Sequence, residues 1–202
     1  MNDNDIIQLL EYGYAWTAKR IAVVQEGELE NTTPCGEWQL LRLLDHTFGS
    51  GRLLSAMAAS EIEAGPEATQ EFVNELIATC RRVGDPVAMF TERVGAPSIA
   101  VWRTPGLLDG EVTAAFGKAP ARTILQLNLL EVVTHGWDIS QSTGEAATIP
   151  GELARPILEF ARQVVTDPRI APAFGPAVTV PATAPVSDAL VALLGRTPLP
   201  AL

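Results

Sequence analysis

The segment from 119 to 143 constrains the fold more than any other, because a helix drawn through it has almost no face fit for water. Ile124, Leu127, Leu130, Val132, Val133 and Ile139 put apolar side chains on nearly every side at the 3.6-residue period. Such a helix must be enclosed, so the chain has to supply amphipathic partners around it. Over 5–24, Ile6, Leu9, Leu10, Tyr14, Ile21 and Val24 recur at helical spacing, while Glu11, Lys19 and Arg20 face water. A second helix starts near Trp38 or Gln39 and runs through Leu40, Leu43, Leu44, Leu53 and Leu54 to Met57. Within it Gly49 and Gly51 cost roughly 1 kcal/mol each relative to Ala, and they leave room for a close neighbour. A third helix follows Gly65-Pro66, from Glu67 through Phe72, Leu76, Ile77 and Cys80, and is interrupted or kinked at Pro86. A fifth spans 153–165 and ends before Pro168.

The segments between are of a different kind. Residues 25–36 are polar and contain Pro and Gly, a loop. Residues 96–120 lose helical periodicity: Ile99-Ala100-Val101-Trp102 and the run 112–116 suit a small hairpin or an ordered crossover. Gly144 sits where a helix stop is expected. The stretch 168–185, rich in Pro, Ala and Val, is expected to run extended over the surface, before a short helix at 187–194 closed by Gly195. The expected architecture is all-α: an antiparallel helix bundle over 1–166, with a tail over 167–202 whose short helix packs on the same domain.

Composition excludes several classes of function. The 202 residues carry 24 Asp+Glu against 14 Lys+Arg, a net charge of −10 that repels phosphates and argues against nucleic acid or an anionic membrane as partner. No apolar run approaches the ~18 residues of a membrane span. The acidic start Met1-Asn2-Asp3-Asn4-Asp5 lacks the basic-then-apolar order of a secretory signal, so a cytoplasmic location is expected. Cys35 and Cys80 have no CxxC spacing, which disfavours a thiolate zinc site and a disulfide framework. Cys35, in a Pro/Gly loop, reads as packing against Trp38 rather than as a reactive thiol, and Cys80 as a small core residue. Trp16, Trp38 and Trp102 carry no ligand signal; Trp137 reads as packing between helices, and Glu26, Glu28 and Glu30 as a solvated face.

The chain has two histidines. His46 lies mid-helix in Leu43-Leu44-Asp45-His46-Thr47-Phe48; His135 lies on the most apolar helix, four residues after Glu131 and on its face. Asn128 and Asp138 extend the same face, a polar stripe through an oily helix. A buried carboxylate there needs a partner. Internal pairing of Glu131 with His135 is one solution. A divalent cation held by Glu131, His135 and His46 from a facing helix is another, and three donors leave a position for water or substrate. On spacing alone a hydrogen-bonded core histidine is the commoner outcome. H-E-x-x-H, G-x-S-x-G, P-loop and βαβ G-x-G-x-x-G motifs are all missing.

Thr33-Pro34-Cys35-Gly36-Glu37-Trp38, then Leu43-Leu44-Asp45-His46, and later Glu131-Val132-Val133-Thr134-His135-Gly136-Trp137-Asp138, resemble the DinB-like superfamily. The branch they resemble is the mycothiol-dependent maleylpyruvate isomerase N-terminal, metal-binding type of actinobacteria. Phe174-Gly175-Pro176-Ala177-Val178 with Leu194-Gly195-Arg196-Thr197-Pro198 is similar to the ending of a single-domain subfamily of that branch. The resemblance implies a four-helix bundle with a long crossover and a divalent metal, usually zinc, with nickel, iron or manganese as alternatives. It implies His46, Glu131 and His135 as ligands, and Asp138 as a group that supports the ligands or positions a thiol. Two departures stand out. The stretch after the last core helix leaves no room for the further domain of the two-domain isomerase, which puts its substrate in doubt here. Gln39 and Arg42 replace the Thr or Ser cap and acidic residue usual at the second helix, so that start should be less stable.

What the resemblance implies is an enzyme that uses a low-molecular-weight thiol, typically mycothiol, for S-transfer or isomerisation of a small electrophile, acting as monomer or homodimer. Arg42, Arg52 and Arg122 are the candidates for positive charge towards an acidic substrate. The alternative is a non-catalytic metal-binding or small-ligand-binding protein of the same fold. Neutral imidazole ligands would make metal affinity fall below about pH 6.5.

Overall fold

The computed structural model describes residues 1–62 and 65–198, without the side chains of 80–83, so the expectation for Cys80 lies outside the described residues. Helix α1 (Asp3–Ile21) opens on a reciprocal cap: Asn2 Oδ1 accepts from the Asp5 N–H at 2.9 Å, and Asp5 Oδ2 from the Asn2 N–H at 2.8 Å. Lys19 and Arg20 in its last turn complement the helix dipole. Helix α2 (Leu40–Ala58) has no side-chain cap at Gln39, as the sequence suggests. Its exposed N–H groups are met instead by the preceding loop, Leu40 N–H donating to the Asn31 carbonyl and Leu41 N–H to that of Leu29, both at 2.9 Å. The start is stitched by backbone where the side chain fails.

Helix α3 (Pro66–Val83) stops at Gly84 in the left-handed region. Asp85 then caps a new helix, its Oδ1 accepting from the Val87 and Ala88 N–H groups. This rod comprises α4 (Pro86–Met89), a π-helical turn (Phe90–Gly95) and α5 (Ala96–Trp102). Residues 99–102 are therefore helical, a correction to the strand reading. Phe90, Val94, Ile99 and Trp102 are all buried in the core, and this packing outweighs the β preference of Ile99 and Val101. The hairpin exists one step later: β1 (Glu111–Ala114) pairs antiparallel with β2 (Gly117–Pro120), with Val112, Ala114 and Ala119 buried.

Helix α6 (Ala121–Ser142) is the enclosed element that the sequence demands, packed against α1, α2 and α7 (Gly151–Val164). With α1, α2 and the 86–102 rod it forms a four-helix bundle; α3 lies on α2 in the long crossover. Small residues set the spacing. A Cβ on Gly136 would sit 2.4 Å from Thr17 Oγ1, which donates to the Val132 carbonyl at 2.9 Å where α1 crosses α6. Gly49 and Gly51 likewise admit Val73 and Val94. Asn128 on α6 is wholly buried and fully used: Oδ1 accepts from Ser98 Oγ and Trp102 Nε1, and Nδ2 donates to the Gly51 carbonyl.

Helix α8 (Val186–Leu193) packs on α7, with Ser187 Oγ accepting from the Ile149 N–H. The segment before it is not a simple surface strand. It turns at Ala171–Ala173 and returns along α8, Val178 N–H donating to the Ala192 carbonyl at 2.8 Å. Gly195, at φ 85°, lies so close to Gly175 that a Cβ would be 2.7 Å from its Cα. Arg196, the next residue, pairs with Asp138 of α6 and so ties the crossing to that helix. No helix among the described residues is long and apolar enough to cross a membrane.

Candidate metal centre

The polar stripe of α6 divides at one turn. Asn128 closes into the core, while Glu131, His135 and Asp138 meet residues from α2, the 31–39 loop and the tail. His46 Nε2 lies 3.4 Å from Glu131 Oε2, and His135 Nε2 lies 3.3 Å from the same oxygen. The facing helices thus bring together the three residues the sequence singled out. His46 is not a core histidine: its side chain is 37% exposed, against 8% for His135 and 0% for Asp138. Access to the cluster is therefore from the His46 side. Its ring packs tilted against Trp38, which is a wall of the site and not the silent residue the sequence suggests.

Behind His135 stands a supporting chain. Nδ1 is 3.0 Å from Asp138 Oδ2, a contact that holds the ring by one nitrogen and turns the other towards Glu131. Asp138 in turn accepts from Arg196, Nε to Oδ1 at 3.2 Å and Nη2 to Oδ2 at 2.9 Å. The sequence signal for Arg196 was confined to its place in the tail block, with no role attached. Of the arginines named for positive charge, Arg42 lies over Trp38, the wall residue, while Arg52 pairs with Glu61 and Ser55 and Arg122 with Asp3, away from the site. Cys35 also departs from its packing role. Its Sγ donates to Asp138 Oδ2 at 3.0 Å and lies 3.8 Å from His135 Nδ1. The loop that carries it is held by a bridge between Thr32 and Gln39 and by Asn31 Nδ2 donating to the Ser142 carbonyl.

Charge follows geometry. Burial pushes the Glu131 carboxyl up, but hydrogen bonds from His135 and His46 overcome it and hold the group below the usual carboxylate range. Burial lowers His135, and its contacts with Asp138, Cys35 and Glu131 reverse this, leaving it well above 6.5. Asp138 is likewise raised by burial and then brought down to about 2 by His135 and the Arg196 guanidinium. Arg196 is raised, the Asp138 charge outweighing burial.

Two sets of donors are close enough to hold an ion: His46, Glu131 and His135, and Cys35, His135 and Asp138. The first fits. Tetrahedral donors at metal bonds of about 2.1 Å stand about 3.4 Å apart. The two distances to Glu131, 3.3 and 3.4 Å, match that spacing and are long for direct charge-assisted hydrogen bonds, about 2.7–2.9 Å, while the two histidine nitrogens lie within 4.8 Å of each other. The second set does not fit, because both Asp138 oxygens are engaged by a guanidinium that would repel a cation. The first set borders a cavity of about 590 Å³ whose rim includes Cys35, Trp38, Phe174 and Arg196.

Known proteins resemble the chain at two levels. No family model matches the sequence. Two uncharacterized proteins, from two strains of Mycobacterium tuberculosis, are each 28% identical over 182 residues, covering 89% of this chain and 91% of the relative. Among solved structures, the mycothiol-dependent maleylpyruvate isomerase matches with a TM-score of 0.58 at 21% identity, over 82% of this chain and 70% of that one. A histidine-to-alanine variant of that isomerase matches with a TM-score of 0.57 at 20% identity and the same coverage. The chain has the four-helix fold of the mycothiol-dependent maleylpyruvate isomerase.

Proposed function

We propose that this protein is a divalent-metal-dependent enzyme that uses a low-molecular-weight thiol, of the mycothiol type, for isomerisation or S-transfer of a small electrophile. The observation that carries the reading is the spacing of His46 Nε2, Glu131 Oε2 and His135 Nε2 beside an open cavity of about 590 Å³. His46, Glu131 and His135 would hold the ion, zinc first, with nickel, iron or manganese suited to the same donors. Three protein donors is the number typical of catalytic zinc, since structural sites use four. When bound, a divalent ion favours the deprotonated form of a coordinating thiol at neutral pH.

The chain's own residues do the rest. Asp138 accepts from His135 Nδ1, which leaves Nε2 directed at the cluster, and Arg196 holds Asp138 in place. In the metal-free protein the proton on His135 balances the Glu131 carboxylate beside it. Trp38 and Phe174 wall the cavity with apolar surface that limits water around a bound thiol. Cys35 and Arg196 place a thiol and a guanidinium at the same cavity, the guanidinium paired with Asp138. The fold shared with a mycothiol-dependent enzyme supports the choice of thiol.

The test is a titration of the zinc-loaded protein with mycothiol, glutathione and bacillithiol, followed by calorimetry and thermal shift. Saturable binding of mycothiol, lost in Glu131→Gln, is expected. A protein that binds zinc but none of the three thiols is the non-catalytic metal-binding protein of the same fold instead.

A further inference from the structure

A second cavity, of about 210 Å³, also reaches Glu131. It shares Glu131, Ala173 and Phe174 with the larger one, so the two adjoin at the carboxylate and one turn of the tail. Their linings differ in kind. The larger presents Cys35, His46, His135 and Arg196, together with Thr134, whose buried Oγ1 has no hydrogen-bond partner among the described residues. The smaller is walled by Leu53 and Leu54 of α2, Phe116 of the hairpin turn, Leu127 of α6, and Ile170 and Phe174 of the tail. Its polar members are Ser50, Glu131 and Arg169.

Arg169 does not make this cavity cationic. Its Nε and Nη2 donate to the Asp167 carboxylate at 3.1 and 2.7 Å, and its Nη1 donates to the Lys118 carbonyl at 3.3 Å. The remaining charged group at its wall is the Glu131 carboxylate. An acid entering would lose its hydration against Leu and Phe side chains, and the Arg169 guanidinium at the wall is already paired with Asp167. An uncharged apolar molecule does not meet that cost. For scale, an apolar cavity of about 150 Å³ admits benzene, so the space here suits a six-membered ring with a small substituent.

We infer that the smaller cavity binds the electrophile, that this electrophile is a small, apolar, uncharged molecule, and that the thiol occupies the larger cavity. The inference rests on the proposed thiol chemistry for its division of labour, but the selectivity of the smaller cavity is a separate property. The two ligands would then meet where the cavities adjoin, beside Glu131 and Phe174. A polar, anionic thiol and an apolar acceptor would not compete for one pocket.

The test uses the full chain and two unreactive probes with the same ring, cyclohexanone and cyclohexanecarboxylate. Methyl NMR should show cyclohexanone shifting Leu53, Leu54, Leu127 and Ile170, with a Kd at least about tenfold below that of the carboxylate. Leu54→Trp, which fills the cavity, should weaken cyclohexanone binding at least about tenfold and leave zinc binding unchanged. Phe116→Trp, from the opposite wall, serves if Leu54→Trp does not fold. Equal or tighter binding of the carboxylate, or shifts confined to residues of the larger cavity, would overturn the inference. Zinc titration of the same samples separates the two readings: failure to bind zinc removes the proposed function, whereas ketone selectivity that persists leaves the cavity assignment intact.

Discussion

Asn128 and the Glu131–His135–Asp138 group lie on one face of α6, within three turns of each other, yet the fold treats them oppositely. Asn128 is sealed: each polar atom of its side chain is paired inside the bundle, with Ser98, Trp102 and the Gly51 carbonyl. The second group is anchored at one end and open at the other. Asp138 is closed off by Arg196 and His135, while Glu131 and His46 border a cavity and make only long contacts. A buried polar residue whose bonds are all internal specifies packing. One with donors left facing a cavity is arranged for something that binds.

The largest effect is expected of Asp138→Ala. It removes a wholly buried carboxylate and leaves the Arg196 charge unpaired, at an expected cost of about 3–5 kcal/mol in chemical denaturation. Zinc affinity should fall with it, by about 10- to 100-fold, because His135 loses the group that orients it. Asn128→Ala should cost about 1–3 kcal/mol for each buried partner left unpaired, with zinc affinity unchanged. A loss of zinc binding in Asn128→Ala, with stability intact, would erase the distinction between the two groups.

The pH response sharpens it further. In the metal-free protein Asp138, held at about 2 against an ordinary 3.8, contributes stability above pH 3.8 that is lost as pH falls through about 2. His135 has the opposite sign. Its contribution is full below 6.5 and fades as pH rises through its raised value. Zinc must displace that proton, so its affinity should keep climbing above pH 6.5, where unperturbed histidines would already have levelled off. Calorimetric Kd values that are flat above pH 6.5 would contradict the geometry around His135. The smallest effect is a control: Gln39→Asp should add about 0.5–1 kcal/mol to stability by capping α2, with no change at either group.

Much of this was legible in the sequence because α6 carries its own evidence. An apolar helix interrupted at 128, 131, 135 and 138 announces both its burial and the need for partners, and His46 was the one histidine left to face it. Arg196 was not legible, since it reaches Asp138 from 58 residues away through a tail crossing that no periodicity marks. Cys35 was hidden for a similar reason: a loop fastened by backbone bonds decides where its thiol points. The helix at 96–102 was obscured by β-branched residues whose preference the core overrides, and β2 by its glycine and proline ends. Local pattern pointed to His46, Glu131 and His135; long-range contacts decided what surrounds them.

The most direct measurement of the central claim is metal content after equilibration with zinc, for the native chain and for His46→Ala and Glu131→Gln. The account predicts one tightly held zinc per native chain and a loss of that zinc in both variants, each still folded by circular dichroism. A native chain without stoichiometric zinc, or variants that retain it, would contradict the account.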